Sequence, residues 1–137
     1  MIPLPSNGKK PEYYAAYFHV SGDLNFNFNC WGFVAKVAGW HEYFTWLDDY
    51  DMMDLLNRHT EKVTEPQEGD IIAFYRHEIS TEGLNHTAFF RNGNLVLHKM
   101  GGLPIATDSL HAAKERYGNL VTFHRIKNLT NQPSVLQ

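Results

Sequence analysis

The sequence contains one cysteine, Cys30, so no disulfide can form within the chain and no bridged framework holds the fold. No apolar run approaches the roughly 18 residues that a membrane span needs. The basic residues are scattered, the longest run is Lys9-Lys10, and the formal net charge is −3, a pattern that excludes the electrostatic footprint of a nucleic-acid binder. There is no Cys-x-x-Cys or His-x-x-x-His pair, so the sequence predicts neither a metal site nor another cofactor. Met1 to Gly8 lacks the basic start and apolar centre of a secretory signal. The expectation is a protein that is cytoplasmic as made, or exported by a route that needs no such signal. Internal repeats and low-complexity tracts are also missing.

What remains is an ordinary globular composition over 137 residues, 43% hydrophobic and 20% charged, which suits one domain with its own core. We read residues 1–137 as that single domain, with an N-terminal arm over 1–11 and a loose tail over 128–137. Residues 12–19 are aromatic and compatible with either a short helix or a strand. A helix is expected from about residue 30 to 38, stopped by Gly39, and a second over 47–60 with Asp48, Asp49 and Asp51 near its start. Ile71–Tyr75 is a buried-strand run after the turn Pro66–Asp70. Strands over His86–Arg91 and Leu95–His98 flank the hairpin signal Asn92-Gly93-Asn94. Asp108–Tyr117 reads as a helix closed by Gly118, and Leu120–Ile126 as a final strand. Helices first and a small antiparallel sheet afterwards make an α+β fold.

The chemistry gathers around Cys30. Asn27 and Asn29 can cap a helix, so the sulfur falls at a helix N-terminus, where free N–H groups and the helix dipole favour a thiolate. A free thiol ionises at about pH 8.5 and gains from a neighbouring imidazole that takes its proton and returns it to a leaving group. His86 is the candidate base. His98 follows it by twelve residues across the hairpin turn, placed to hold the other ring nitrogen of His86. Bland readings stand beside these. Most lone cysteines are inert core residues, and with eight histidines two fall at convenient places easily. His77, His111 and His124 read as surface or strand-edge residues, while His19 and His41 could line a cleft. Trp40, Phe44 and Trp46 are core or groove aromatics.

Asn29-Cys30-Trp31-Gly32-Phe33-Val34 resembles the nucleophile motif of the NlpC-like cysteine peptidases. Glu68-Gly69-Asp70 with Ile71–Phe74 is similar to that family's Gly-Asp-apolar strand. Asn85-His86-Thr87-Ala88-Phe89-Phe90 with Asn92-Gly93, then Leu97-His98, is similar to its His strand, hairpin and third polar residue. The order Cys, His, His is the unpermuted one, and the resemblance covers about residues 28 to 100. It implies a papain-like fold and hydrolysis of an amide bond, usually in bacterial cell-wall peptides. Cys30 would attack the carbonyl, His86 would act as base and then acid, and His98 would orient His86. The Cys30 N–H would donate to the oxyanion, with Asn29, Trp31 and one of Tyr13, Tyr14 or Tyr17 in the cleft. Trp31 replaces the usual small residue, and Thr87-Ala88 replaces the usual Val-Gly. The expected partners are a peptidoglycan-derived peptide and, for a bacterial effector, an inhibitor or immunity protein; a phage-type enzyme fits equally. Alternatives are an amidase, deamidase or acyltransferase on a protein or small molecule, or an inactive relative serving as a binding module.

Overall fold

The computed structural model describes residues 28–101, 103 and 105–127. The arm over 1–11, the aromatic segment over 12–19 with Tyr13, Tyr14, Tyr17 and His19, and the tail over 128–137 lie outside the described residues. Among the described residues the fold is α+β, with three helices and a six-stranded antiparallel sheet. The elements in chain order are α1 (Cys30–Val37), α2 (Asp49–His59), β1 (Thr60–Val63), β2 (Ile71–Tyr75), β3 (Leu84–Arg91), β4 (Leu95–Lys99), β5 (Ile105–Ser109), α3 (Leu110–Tyr117) and β6 (Leu120–Ile126). The sheet order is β1-β6-β2-β3-β4-β5. No helix among the described residues is long and apolar enough to cross a membrane.

β2 is buried at every position because both of its edges are paired and both of its faces are covered. A strand in that setting needs apolar side chains on both faces, hence a continuous run rather than an alternation. Ile71, Ala73 and Tyr75 pack with Phe33, Val34 and Val37 of α1 and Met52 and Leu56 of α2. Ile72 and Phe74 pack on the opposite face with Ala88, Phe90, Val96 and Ala113 of α3. The helices thus clamp the sheet from two sides, and each fully buried large apolar side chain contributes roughly 1.5–3 kcal/mol.

Three local expectations change. Helices do not all precede the sheet, because α3 lies between β5 and β6. Asp108 belongs to β5, paired with Val96, and α3 starts two residues later because the Ser109 hydroxyl caps it by accepting from the Ala112 N–H at 3.0 Å. His124 is not a surface residue: β6 runs between β1 and β2, and this side chain is buried. The Asn92-Gly93-Asn94 turn does join β3 to β4, with Gly93 and Asn94 at φ 84° and 57°. Phe44 packs on Phe28 with ring centres 4.7 Å apart and Trp40 stacks on His59 at 5.3 Å, whereas Trp46 is exposed.

Candidate active site

Cys30 is the first residue of α1. Asn29 caps the helix: its Oδ1 accepts from Gly32 N–H at 2.9 Å and from Leu47 N–H at 3.3 Å, while its Nδ2 donates to the Leu47 carbonyl at 2.9 Å. The Asn29 side chain therefore serves the scaffold, tying the segment before α2 across the helix start. Gly32 allows that crossing, since a Cβ there would sit 1.6 Å from the Thr45 carbonyl oxygen. Cys30 is 8% exposed. Burial pushes the thiol up to about 11, opposed by the N–H groups of Thr87, Trp31 and Cys30 itself and by the Lys99 ammonium. Trp31 is half-buried against the core, and its indole N–H is buried without a partner among the described residues.

The sheet opens where the thiol meets it. β3 and β4 pair over Arg91↔Leu95, Phe90↔Val96 and Phe89↔Leu97, and their ladder stops there. His98 and Lys99 continue β4 paired only with Ala106 and Ile105 of β5. Continuing the β3–β4 register would set Thr87 across from Lys99, so the thiol, which faces the Thr87 N–H, lies at this opening.

Two imidazoles meet at the same level. His86 Nε2 and His98 Nδ1 are 2.8 Å apart, and His98 Nε2 lies 3.2 Å from Asp108 Oδ2. Both rings are buried, and burial holds both below the usual histidine range, His86 well below; Asp108 offsets part of this for His98. Both are therefore neutral at pH 7, and the network assigns their protons. A carboxylate only accepts, so His98 carries its proton on Nε2. Its Nδ1 then accepts from His86 Nε2–H, which leaves His86 Nδ1 as a lone pair with no hydrogen bond among the described residues. Tyr117 stacks on the His86 ring at 3.6 Å and 10°, fixing its plane, and Asn85 Nδ2 donates to the Tyr117 carbonyl at 2.8 Å.

The structure thus joins His86 to His98 and adds Asp108 and Tyr117, neither of which the sequence singles out. Asp108 carries no local signal, being read there as part of a helix, and Tyr117 reaches the site only because α3 folds back on the sheet. Cys30 comes to the same stretch of β3, but no hydrogen bond joins its sulfur to either imidazole. The reason is the strand alternation. Thr87 and Phe89 face α1, as the Phe33–Phe89 ring contact shows, whereas His86, paired with Phe74, faces α3 with Tyr117. His41 lies elsewhere, beside Leu47, Asp51 and Arg58 at a surface hollow of about 240 Å³. No family model, no curated protein and no solved structure matches this chain.

Proposed function

We propose that this protein is a cysteine hydrolase with a papain-like arrangement, cleaving an amide bond through a thioester at Cys30. Peptide amides of bacterial peptidoglycan are the leading substrate class. The observation that carries the reading is the hydrogen-bonded chain Asp108–His98–His86, which leaves a buried neutral imidazole with a free Nδ1 lone pair on the residue next to Thr87, whose N–H faces the helix-N-terminal thiol. In this reaction the thiol proton passes to His86 Nδ1 and the sulfur attacks the carbonyl carbon. The N–H groups at the start of α1 face the developing oxyanion, and His86 returns the proton to the leaving amine. Water then cleaves the thioester by the same route. His98 and Asp108 hold the imidazole and balance its charge while it is protonated. The thiol and Nδ1 lie towards different faces of β3, so the reaction requires them to approach through the opening between β3 and β4 once substrate binds; catalytic hydrogen bonds are commonly long before substrate binds and tighten in the complex.

A second reading, an inactive relative that binds without hydrolysis, draws on the buried thiol, pushed up to about 11 and without an imidazole hydrogen bond. Mass spectrometry of peptidoglycan fragments incubated with wild type and Cys30→Ala separates the two. Cleavage by wild type alone establishes the nucleophile, and the product masses identify the bond. No cleavage with fast alkylation of Cys30 at neutral pH keeps the hydrolase and discards the wall substrate. No cleavage with a sluggish thiol favours the binding module.

A further inference from the structure

Lys99 ends β4 with 1% of its surface exposed. Its ammonium group donates to the Gly101 carbonyl and lies 5.0 Å from the centre of the Phe28 ring. No carboxylate pairs with it among the described residues. A buried cation without an anion is costly, and one carbonyl and a ring face offset that cost only in part. Phe28 stands two residues before Cys30, so the ring that covers the ammonium belongs to the same chain segment as the thiol. Across the opening stands Thr87, whose N–H reaches the sulfur and whose hydroxyl is fully buried with no partner among the described residues. Lys99 and Thr87 lie on the sheet face that carries Leu97 and Phe89, the face covered by α1.

We propose that Lys99 is the resident counter-ion of the Cys30 thiolate. The proposal rests on the reading of Cys30 as an ionising thiol but on no particular substrate. It accounts for an otherwise unexplained buried group, a cation lacking an anion. The other ionisable groups around the opening do not supply the charge: His86 and His98 are neutral, Asp108 is bound to His98, Tyr117 feels the Cys30 charge but carries no positive charge of its own, and Arg116 acts on His98 and Tyr117 rather than on Cys30. The Lys99 and Cys30 charges support each other, while burial favours the neutral form of each.

Because Cys30 is the only cysteine, iodoacetamide alkylation followed by intact mass reports this thiol alone. At pH ~9 the rate of Lys99→Met is expected to fall about fivefold or more below wild type, and Lys99→Arg to stay within about twofold. Equal rates for wild type and a folded Lys99→Met overturn the proposal. If circular dichroism shows that Lys99→Met does not fold, the reciprocal measurement decides: the ¹³C NMR titration of Lys99 Cε, in wild type and Cys30→Ser. Loss of the thiolate is expected to move that titration to lower pH, and an unchanged titration overturns the proposal. Neither experiment contains a substrate, so failure here is distinguishable from failure of the hydrolase reading.

Discussion

His86 and His98 are hydrogen-bonded Nε2 to Nδ1 at 2.8 Å just past the point where β3 and β4 stop pairing, so side chains connect the strands where the backbones do not. Removing His98 leaves a buried N–H of His86 without an acceptor, at about 1–3 kcal/mol. His98→Ala is expected to lose that stability and, for the hydrolase, at least about a hundredfold in turnover, whereas His98→Asn, which keeps an acceptor, recovers part of both. Asp108 is partly exposed, so Asp108→Asn costs less, about tenfold in turnover with little change in urea midpoint. Equal losses for Ala and Asn at position 98 would sink the positioning role.

His124 makes stability depend on pH. Thr60 Oγ1 donates to the Leu56 carbonyl at 2.7 Å, so it can only accept from His124 Nδ1–H at 3.1 Å. Nε2 is then the lone pair that receives the Thr122 hydroxyl at 2.7 Å, and Thr122 in turn accepts from Tyr75. A second ring proton on Nε2 would turn the Thr122 hydroxyl round towards Tyr75, so burial rather than the hydrogen-bond network opposes it. Burial, with Lys62 in support, lowers His124 from 6.5 to about 4. The unfolded chain therefore takes up the proton first. Stability is full above pH 6.5, declines as pH falls towards about 4, and loses up to about 3 kcal/mol over that window. His86 and His98 add to it with the same sign. Urea unfolding across this range checks the slope, and an NMR titration of His124 near 6.5 in the folded protein would contradict it.

Gly32→Ala is expected to destabilise the fold by about 3 kcal/mol or more, because the added methyl group meets the Thr45 carbonyl, a backbone atom that cannot swing aside. The Thr45 segment and α1 must then move apart, so thermal stability falls. A Gly32→Ala protein with a wild-type thermal midpoint would refute the close approach.

Substitutions of Asn29 are expected to rank wild type above Asn29→Asp above Asn29→Ala in urea unfolding. A carboxylate would keep the cap on Gly32 but lose the donor to Leu47, and alanine loses both, at about 1–2 kcal/mol for the cap alone. If Asn29→Asp matches wild type, the tie to Leu47 carries no stability.

Much of the scaffold is legible along the chain because its signals are local. Asn29 and Asp48 are cap residues at the two helix starts, Gly39 sits at φ 86° after α1, and Asn92-Gly93-Asn94 turns the hairpin. The strands β1 and β5 escape such reading. Thr60–Val63 has no apolar alternation and is specified by its partner β6, and Ile105–Ser109 is an edge strand recruited by β4. His124 misleads because its neighbours Phe123 and Arg125 suggest an edge, while burial comes from β1, which the sequence does not announce.

The sequence by itself determined where the chain bends, caps and buries apolar runs, and it marked Cys30, His86 and His98, since these depend on residue type and short spacing. The tertiary structure decided which groups those residues meet. Asp108 and Tyr117 join the imidazoles, and Lys99 and Thr87 join the thiol, because partners far apart in the chain are brought together by strand register and by the face each side chain takes. A shift of one residue in β3 would exchange His86 with Thr87 between the two faces. That choice belongs to the packed sheet and its helices, and no local pattern encodes it.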